Sequence, residues 1–256
     1  MYPQTHVYFA EMVLGCGGDD VVLGSVLPDM LTGSVFDHLE AHTKAMDIFS
    51  FLRKEKSLLG FGQAAATHGF VPKGLDYYGD EKYLHFEKGY CFEKARALVE
   101  ETVAACRIPP EMGWWKAHNI IEMGVELLIS ERGAYGKKIK KAFFNEKLAL
   151  EVENKLVRAL NKPDIGYSRR VKRFAEVVEL DVATPASLAA KYRLQMLYRH
   201  RIEIDVGEVA RLIDKAKNIV AADVDEFFRH ACVLVAQNLK EAGVIDSWPV
   251  AAAAPV

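Results

Sequence analysis

The stretch His118-Asn-Ile-Ile-Glu122-Met-Gly-Val-Glu126 decides how the chain is read. It follows Pro109-Pro110, a favourable helix start. Trp114, Trp115, Ile120, Ile121, Val125, Leu127 and Leu128 then place apolar residues on most sides of one helix. Such a helix is predicted to be largely buried. His118 and Glu122 stand four apart and leave from the same face, and Glu126 continues the row. Three polar side chains inside a buried helix need partners, because unpaired buried polar groups are costly. A metal ion takes imidazole and carboxylate together. A structural hydrogen-bond network is the alternative.

Outward from this stretch the chain reads as helix after helix. A helix is expected from Thr5, as cap, to Leu14, followed by a turn over Gly15 to Asp20. Pro28 argues against a regular helix through Leu23 to Asp29. Further helices are expected from about Asp37 to Lys56, over Leu58 to Phe70, and from Glu81 to Cys106, with a loop over Val71 to Asp80. After Gly133 the pattern gives helices over Lys137 to Leu160, Ile165 to Leu180, and Pro185 to Arg201 behind Thr184. Asp205-x-x-Glu208 and Asp223-x-x-Glu226 read as capping boxes for the last two. No segment alternates like a strand. The expected fold is all-α with eight to ten helices. Residues 1–133 form a helical half rich in metal-ligand types. Residues 134–250 form a second helical half packed with it as one unit, and 251–256 a disordered tail.

The 256 residues suffice for a real core, and half are hydrophobic. The net charge of −2 gives no global attraction to nucleic acid or membranes. No apolar run approaches a membrane span, and the start lacks signal-peptide character, so a cytoplasmic protein is expected. Four cysteines are scattered without a Cys-x-x-Cys pair, which predicts free, mostly buried thiols. Residues 137–173 hold twelve Lys/Arg against four Asp/Glu. They could serve phosphate, anionic lipid or nucleic acid. A solvated helix face balanced by acids is the reading favoured by the near-neutral whole, so nucleic acid is not a favoured partner.

Six of the eight histidines fall in the first half: His6, His38, His42, His68, His85 and His118. Asp29, Asp76 and Glu122 lie among them. This donor set suits a divalent ion, zinc foremost, with iron, manganese or nickel as alternatives. A ferritin-like di-iron bundle needs Glu-x-x-His pairs, and no histidine here has Glu three residues before it. Tyr77 and Tyr78 are the candidates for a substrate pocket wall, with packing as the alternative role. His200 and His230, near basic helix ends, are expected at the surface.

An ordered series carries a family resemblance. Thr5-His6-x-x-x-Ala10, Leu23-Gly-Ser-x-x-Pro-Asp29, His38 and His42, Gly62-x-x-x-x-Thr67-His68 and His118-x-x-x-Glu122 together resemble the zinc-dependent phospholipase C family and the related single-strand-specific zinc nucleases. The resemblance covers about the first half of the chain. It implies an all-α fold, here with additional C-terminal helices, holding up to three zinc ions and hydrolysing phosphate esters. It implies metal ligation by His6, Asp29, His42 (with His38 the alternative), His68, His118 and Glu122. Asp29 would hold metal or orient water. Position 72 is Pro, where the family carries an aspartate; Asp76 is the candidate substitute. His85 is the candidate for a further histidine, and Glu126 for a further carboxylate. The implied substrate is a small phosphoester or phospholipid head group. A metal-binding helical protein without turnover is the alternative.

Overall fold

The computed structural model describes residues 1–33, 35–177 and 183–247. Helices dominate it, and the described residues contain no β-strand beyond an isolated bridge between Thr32 and Phe36. The helices are α1 (Pro3–Leu14), α2 (Asp19–Ser25), α3 (Leu27–Leu31), α4 (His38–Ala41), α5 (Ala45–Glu55), α6 (Leu59–Ala66), α7 (Tyr90–Ala95), α8 (Val99–Cys106), α9 (Gly113–Arg132), α10 (Tyr135–Phe143), α11 (Glu146–Leu160), α12 (Tyr167–Val177), α13 (Pro185–His200), α14 (Val206–Val220) and α15 (Val224–Glu241). A π-helical turn spans Tyr77–Glu81. The all-α expectation holds. The helices outnumber the expectation of eight to ten because several expected long helices are broken.

Each break has a local cause. The chain kinks at Val26, and Pro28 enters the first turn of α3, where its missing N–H costs nothing. Asp37 caps α4 by accepting from the Glu40 amide, and the chain turns at residues 42–44 before α5. The expected helix over Glu81 to Cys106 begins only at Tyr90. Residues 82–89 instead fold back, with Gly89 N donating to Asp80 O at 3.0 Å. The backbone crossing is so close that a Cβ on Gly89 would lie 2.2 Å from Asp80 N. The helix expected over Lys137 to Leu160 divides at Asn145, whose side chain caps α11 through the Leu148 amide. Thr184 and Ser187 form the capping box of α13, and Asp205 caps α14. Asp223 does not cap α15. It accepts from Tyr90 Oη at 2.7 Å and pairs with Lys94. The expected helix end at residues 178–180 and the expected tail at 251–256 lie outside the described residues.

The long buried helix α9 organises one core, packing against α14, α7, α8 and α1. This core joins Phe9, Leu98, Ile120, Ile121 and Val125 to Tyr192, Ile213, Phe227 and Val235. A second core joins α2, α3, α5 and α6 to α10, α11 and α12 through Leu23, Leu27, Ile48, Phe61, Phe143, Val152 and Tyr167. Three of the cysteines are buried and Cys16 is exposed; all four are free. Among the described residues no helix is long and apolar enough to cross a membrane. The basic run is largely balanced: Lys138 meets Glu11, Lys141 meets Asp19, Lys155 and Arg158 meet Glu55, and Lys172 meets Glu146. Arg170 donates to the Met30 and Thr32 carbonyls.

Glu126 finds its partner in this scaffold. Its carboxylate accepts from the Gln4 and Thr5 amides at 3.0 and 2.9 Å and from Thr5 Oγ1 at 2.8 Å. It therefore serves amides at the start of α1 that have no partner within the helix, a position that favours negative charge. Thr5 lies inside α1 and is not its cap. Glu126→Ala would leave these donors buried and unmet. The expected result is a loss of about 3 kcal/mol in chemical unfolding, with Glu126→Gln losing less.

Candidate metal centre and cleft

The N-terminal turn of α1, the start of α3, the end of α4, the loop after α6, the π-helical turn and α9 converge on one point. Three groups of side chains there present ligand atoms within 4.8 Å of one another: His6, His68 and Asp76; Asp29, His42 and His68; Asp80, His118 and Glu122. Asp76 is the hub. Its carboxylate lies 3.4 Å from His6 Nε2, 3.4 Å from His42 Nε2 and 3.1 Å from His68 Nε2. The α-amino group of Met1 sits 2.8 Å from Asp76 and 2.9 Å from Glu122. His118 Nε2 is 3.9 Å from Asp80 and 3.8 Å from Glu122.

The route by which Asp76 arrives explains how the chain tolerates Pro72. Gly74 N donates to Gly69 O, Leu75 N to Thr67 O and Asp76 N to His68 O, each at 2.8–2.9 Å. The intervening residues are looped out, and Asp76 is brought back beside His68. The return passes close over the outgoing chain: a Cβ on Gly74 would lie 2.5 Å from Thr67 O.

The imidazoles are fixed in one tautomer by their outer nitrogens. His42 Nδ1 lies 2.7 Å from His38 O, His68 Nδ1 2.6 Å from Ser25 O, and His118 Nδ1 2.5 Å from Trp115 O. A carbonyl can only accept, so each Nδ1 must carry the proton, and a neutral ring then directs the Nε2 lone pair inward. Metal-bound histidines use their second nitrogen in the same way. His6 and His68 stack at 3.5 Å, and Phe92 stacks on His118 at 4.1 Å, which fixes the ring planes.

The inward nitrogens of His6, His42 and His68 are buried without a hydrogen-bond partner, as is Asp80 Oδ1. The nitrogens come within 3.1–3.4 Å of Asp76 but are not aligned on it as donors. Such orphaned groups are expensive in a core unless something joins them. A cation among them would satisfy lone pairs and carboxylates together, so these residues fit a bound metal ion.

The electrostatics are those of a crowded acidic centre. Burial alone would raise Asp76. The Met1 ammonium, His6 and His68 outweigh burial and hold it well below the usual carboxylate range. Burial, then Glu122, pushes Asp80 well above that range. Burial, then His68, drives His6 well below its ordinary value, and burial lowers His118. Burial also works to lower His42, but Asp76 and Asp29 reverse the balance and leave it raised.

The centre opens into a cleft of about 700 Å³. Its lining includes Asp29, Asp76, Asp80, His118 and Glu122, and with them Trp115, Lys116, Lys191, Gln195, Arg199 and His200. Asp29, whose side chain is 33% exposed, lies at the open edge, 3.9 Å from His42 Nε2. Lys116 is buried, its Nζ 2.8 Å from His200 Nε2 and 3.7 Å from the Trp115 ring centre. Burial and then Arg199 push its pKa down to about 8.

The structure thus brings together His6, Asp29, His42, His68, Asp76, His118 and Glu122. Other candidates fall elsewhere. His38 is exposed on the cleft rim, its ring 4.0 Å from that of His42, and supports His42 through its carbonyl. His85 is exposed in the 82–89 fold-back and touches Phe86. Glu126 faces the start of α1. Tyr77 and Tyr78 do not line the cleft. Tyr78 accepts from Asn238 Nδ2 at 2.9 Å, and Tyr77 lies beneath Lys73. His200 lines the cleft, while His230 is half-buried against Tyr83 Oη.

Sequence reading missed Asp80 and the Met1 amino group. Asp80 stands four residues after Asp76 and so shares its row on a helical turn, a usable signal. The amino group gave none, since chain starts are usually solvated. The fold and site define an all-α protein whose buried His/carboxylate groups could hold a metal ion. Comparisons with family models, curated proteins and solved structures return no match for this chain.

Proposed function

We propose that the chain is a metal-dependent hydrolase of phosphate esters, similar in site and fold to the zinc-dependent phospholipases C. The observation that supports this reading most is the set of three buried Nε2 atoms, from His6, His42 and His68, gathered within 3.1–3.4 Å of Asp76 without hydrogen-bond partners. Zinc is the preferred ion, because it takes imidazole and carboxylate in this mixture. One to three ions would be held. His6, His68 and Asp76 would hold one, Asp29 and His42 a second, and Asp80, His118 and Glu122 a third, with the single free nitrogen of His68 serving one ion only.

A divalent ion supplies Lewis acidity, neutralising charge on phosphoryl oxygens and making water a stronger acid. The chain supplies the rest. The carbonyls of Ser25, His38 and Trp115 hold the rings in their ligating tautomer. Asp29 is the carboxylate best placed at the open edge to take the proton of an attacking water. The stacked Phe92 and His118 rings wall the cleft. A site meant only to brace the fold would be closed. The Asp80–His118–Glu122 group instead lines an open cleft, which favours turnover over a structural metal.

The test is hydrolysis of a panel of phosphodiesters and phosphomonoesters by zinc-loaded protein. Metal-dependent turnover is expected, with kcat reduced about 100-fold in Asp29→Asn. Absence of turnover on every ester, with the metal content verified, would overturn the reading.

A further inference from the structure

Beside the acidic centre the cleft also has a cationic wall. On α13, Lys191, Gln195 and Arg199 follow one another at four-residue spacing and all line the cleft. Such spacing forms one stripe along a helix face. Leu188, Tyr192 and Met196 form the neighbouring stripe, buried in the core. The helix is thus held by its apolar face with its polar stripe turned to the cleft. Lys116, from α9, joins this wall with His200.

Lys116 lacks the carboxylate that a buried lysine normally takes. Lys116 is 1% exposed, and its Nζ meets the His200 ring and the Trp115 face. Lys191 Nζ lies 5.2 Å from the Tyr2 ring centre and 4.9 Å from that of Phe174. Among the described residues no carboxylate lies within ion-pair distance of Lys116 or Arg199, although ion pairs are abundant elsewhere on the chain, and Lys191 feels Glu126 and Asp29 only at longer range. Buried cations ordinarily appear paired. Aromatic faces help hold a cation but do not replace an anion. The cleft gives an anion access to these side chains.

We infer that Lys116, Lys191, Arg199 and His200 form a subsite for a phosphate group, and that the substrate carries this phosphate in addition to the ester cleaved at the acidic centre. Arg and Lys donors lining one cleft suit the several acceptor oxygens of a phosphate. The substrate class is then a phosphoester bearing a second, anionic phosphate. A zwitterionic head group would bring a cation to a cationic wall. The assignment of substrate rests on the phosphoesterase reading; the anion site stands on the cationic wall itself.

Calorimetric titration with inorganic phosphate separates the two. The proteins compared are the purified wild type, Lys191→Gln/Arg199→Gln, Lys116→Met and Glu122→Gln. Lys191 and Arg199 are not fully buried, so the double variant tests the wall even if Lys116→Met unfolds. The inference expects phosphate binding that weakens about tenfold or more in the double variant. Glu122→Gln keeps this binding component. On zinc-loaded protein, kcat/KM for an ester with a second phosphate, relative to one without, falls in the double variant. If no ester is turned over but the double variant still loses phosphate, the anion site stands and the phosphoesterase reading fails. Phosphate affinity identical in wild type and double variant, or no phosphate binding by wild type, would overturn the inference.

Discussion

Asp76→Ala is expected to lower metal affinity by at least about 100-fold and to abolish metal-dependent turnover. No other side chain reaches so many members of the centre. Its two oxygens face His6, His42, His68 and the Met1 ammonium. Removing it leaves three imidazole nitrogens without the charge that gathers a cation among them. It also strips the buried ammonium of one of two carboxylates, and breaking a buried ion pair from one side costs about 3–5 kcal/mol. Asp76→Asn separates these effects. The amide retains the volume but not the charge, so it should fold better than the alanine variant and still bind metal poorly. Equilibrium dialysis against zinc, beside thermal melts of both variants, checks this. Wild-type metal affinity in Asp76→Asn would mean that Asp76 is not a ligand.

Stripping the metal is expected to cost about 4 kcal/mol of stability where free metal stands 1,000-fold above its dissociation constant. For a chain of this size that corresponds to a melting point lower by roughly 10 °C. The physical source lies in the metal-free centre, where Asp80 and Glu122 repel each other in a buried setting and Nε2 atoms go unmet. The gap should also depend on pH. Asp80 and His42 both bind protons more tightly in the metal-free fold than ordinary groups of their kind. Each contributes stability that is present at low pH and lost as pH rises through its folded value, and a bound ion must displace both protons. Metal binding therefore strengthens with rising pH until each group has passed its raised folded value, which lies above about 4 for Asp80 and above about 6.5 for His42. Melts with and without chelator across this range should diverge as pH rises. A constant gap would contradict proton displacement.

The buried character of α9 and the shared face of His118 and Glu122 were legible in the sequence, because a helix period fixes which residues stand in one row. Glu126 followed the same rule yet took another partner, since the rule says nothing of what packs opposite; α1 supplied amides there. Asp76 was legible only as a candidate. Its place depends on three backbone hydrogen bonds that loop out the residues after His68, which spacing cannot reveal. His85 was misplaced because the segment after Asp80 folds back at Gly89, against its helical period, and Tyr77 and Tyr78 because they stand on the π-helical turn and meet Lys73 and Asn238 instead of the cleft. The cationic wall was hidden because Lys116 and α13 lie about eighty residues apart, and only their packing joins them.

The central claim is that imidazoles and carboxylates here hold a metal ion. Elemental analysis of the purified chain after zinc incubation, with X-ray absorption at the zinc edge, tests it most directly. The account predicts at least one ion per chain, ligated by nitrogen and oxygen alone, and released in Asp76→Asn. A chain that retains no zinc, or one that binds it through sulfur, would contradict it.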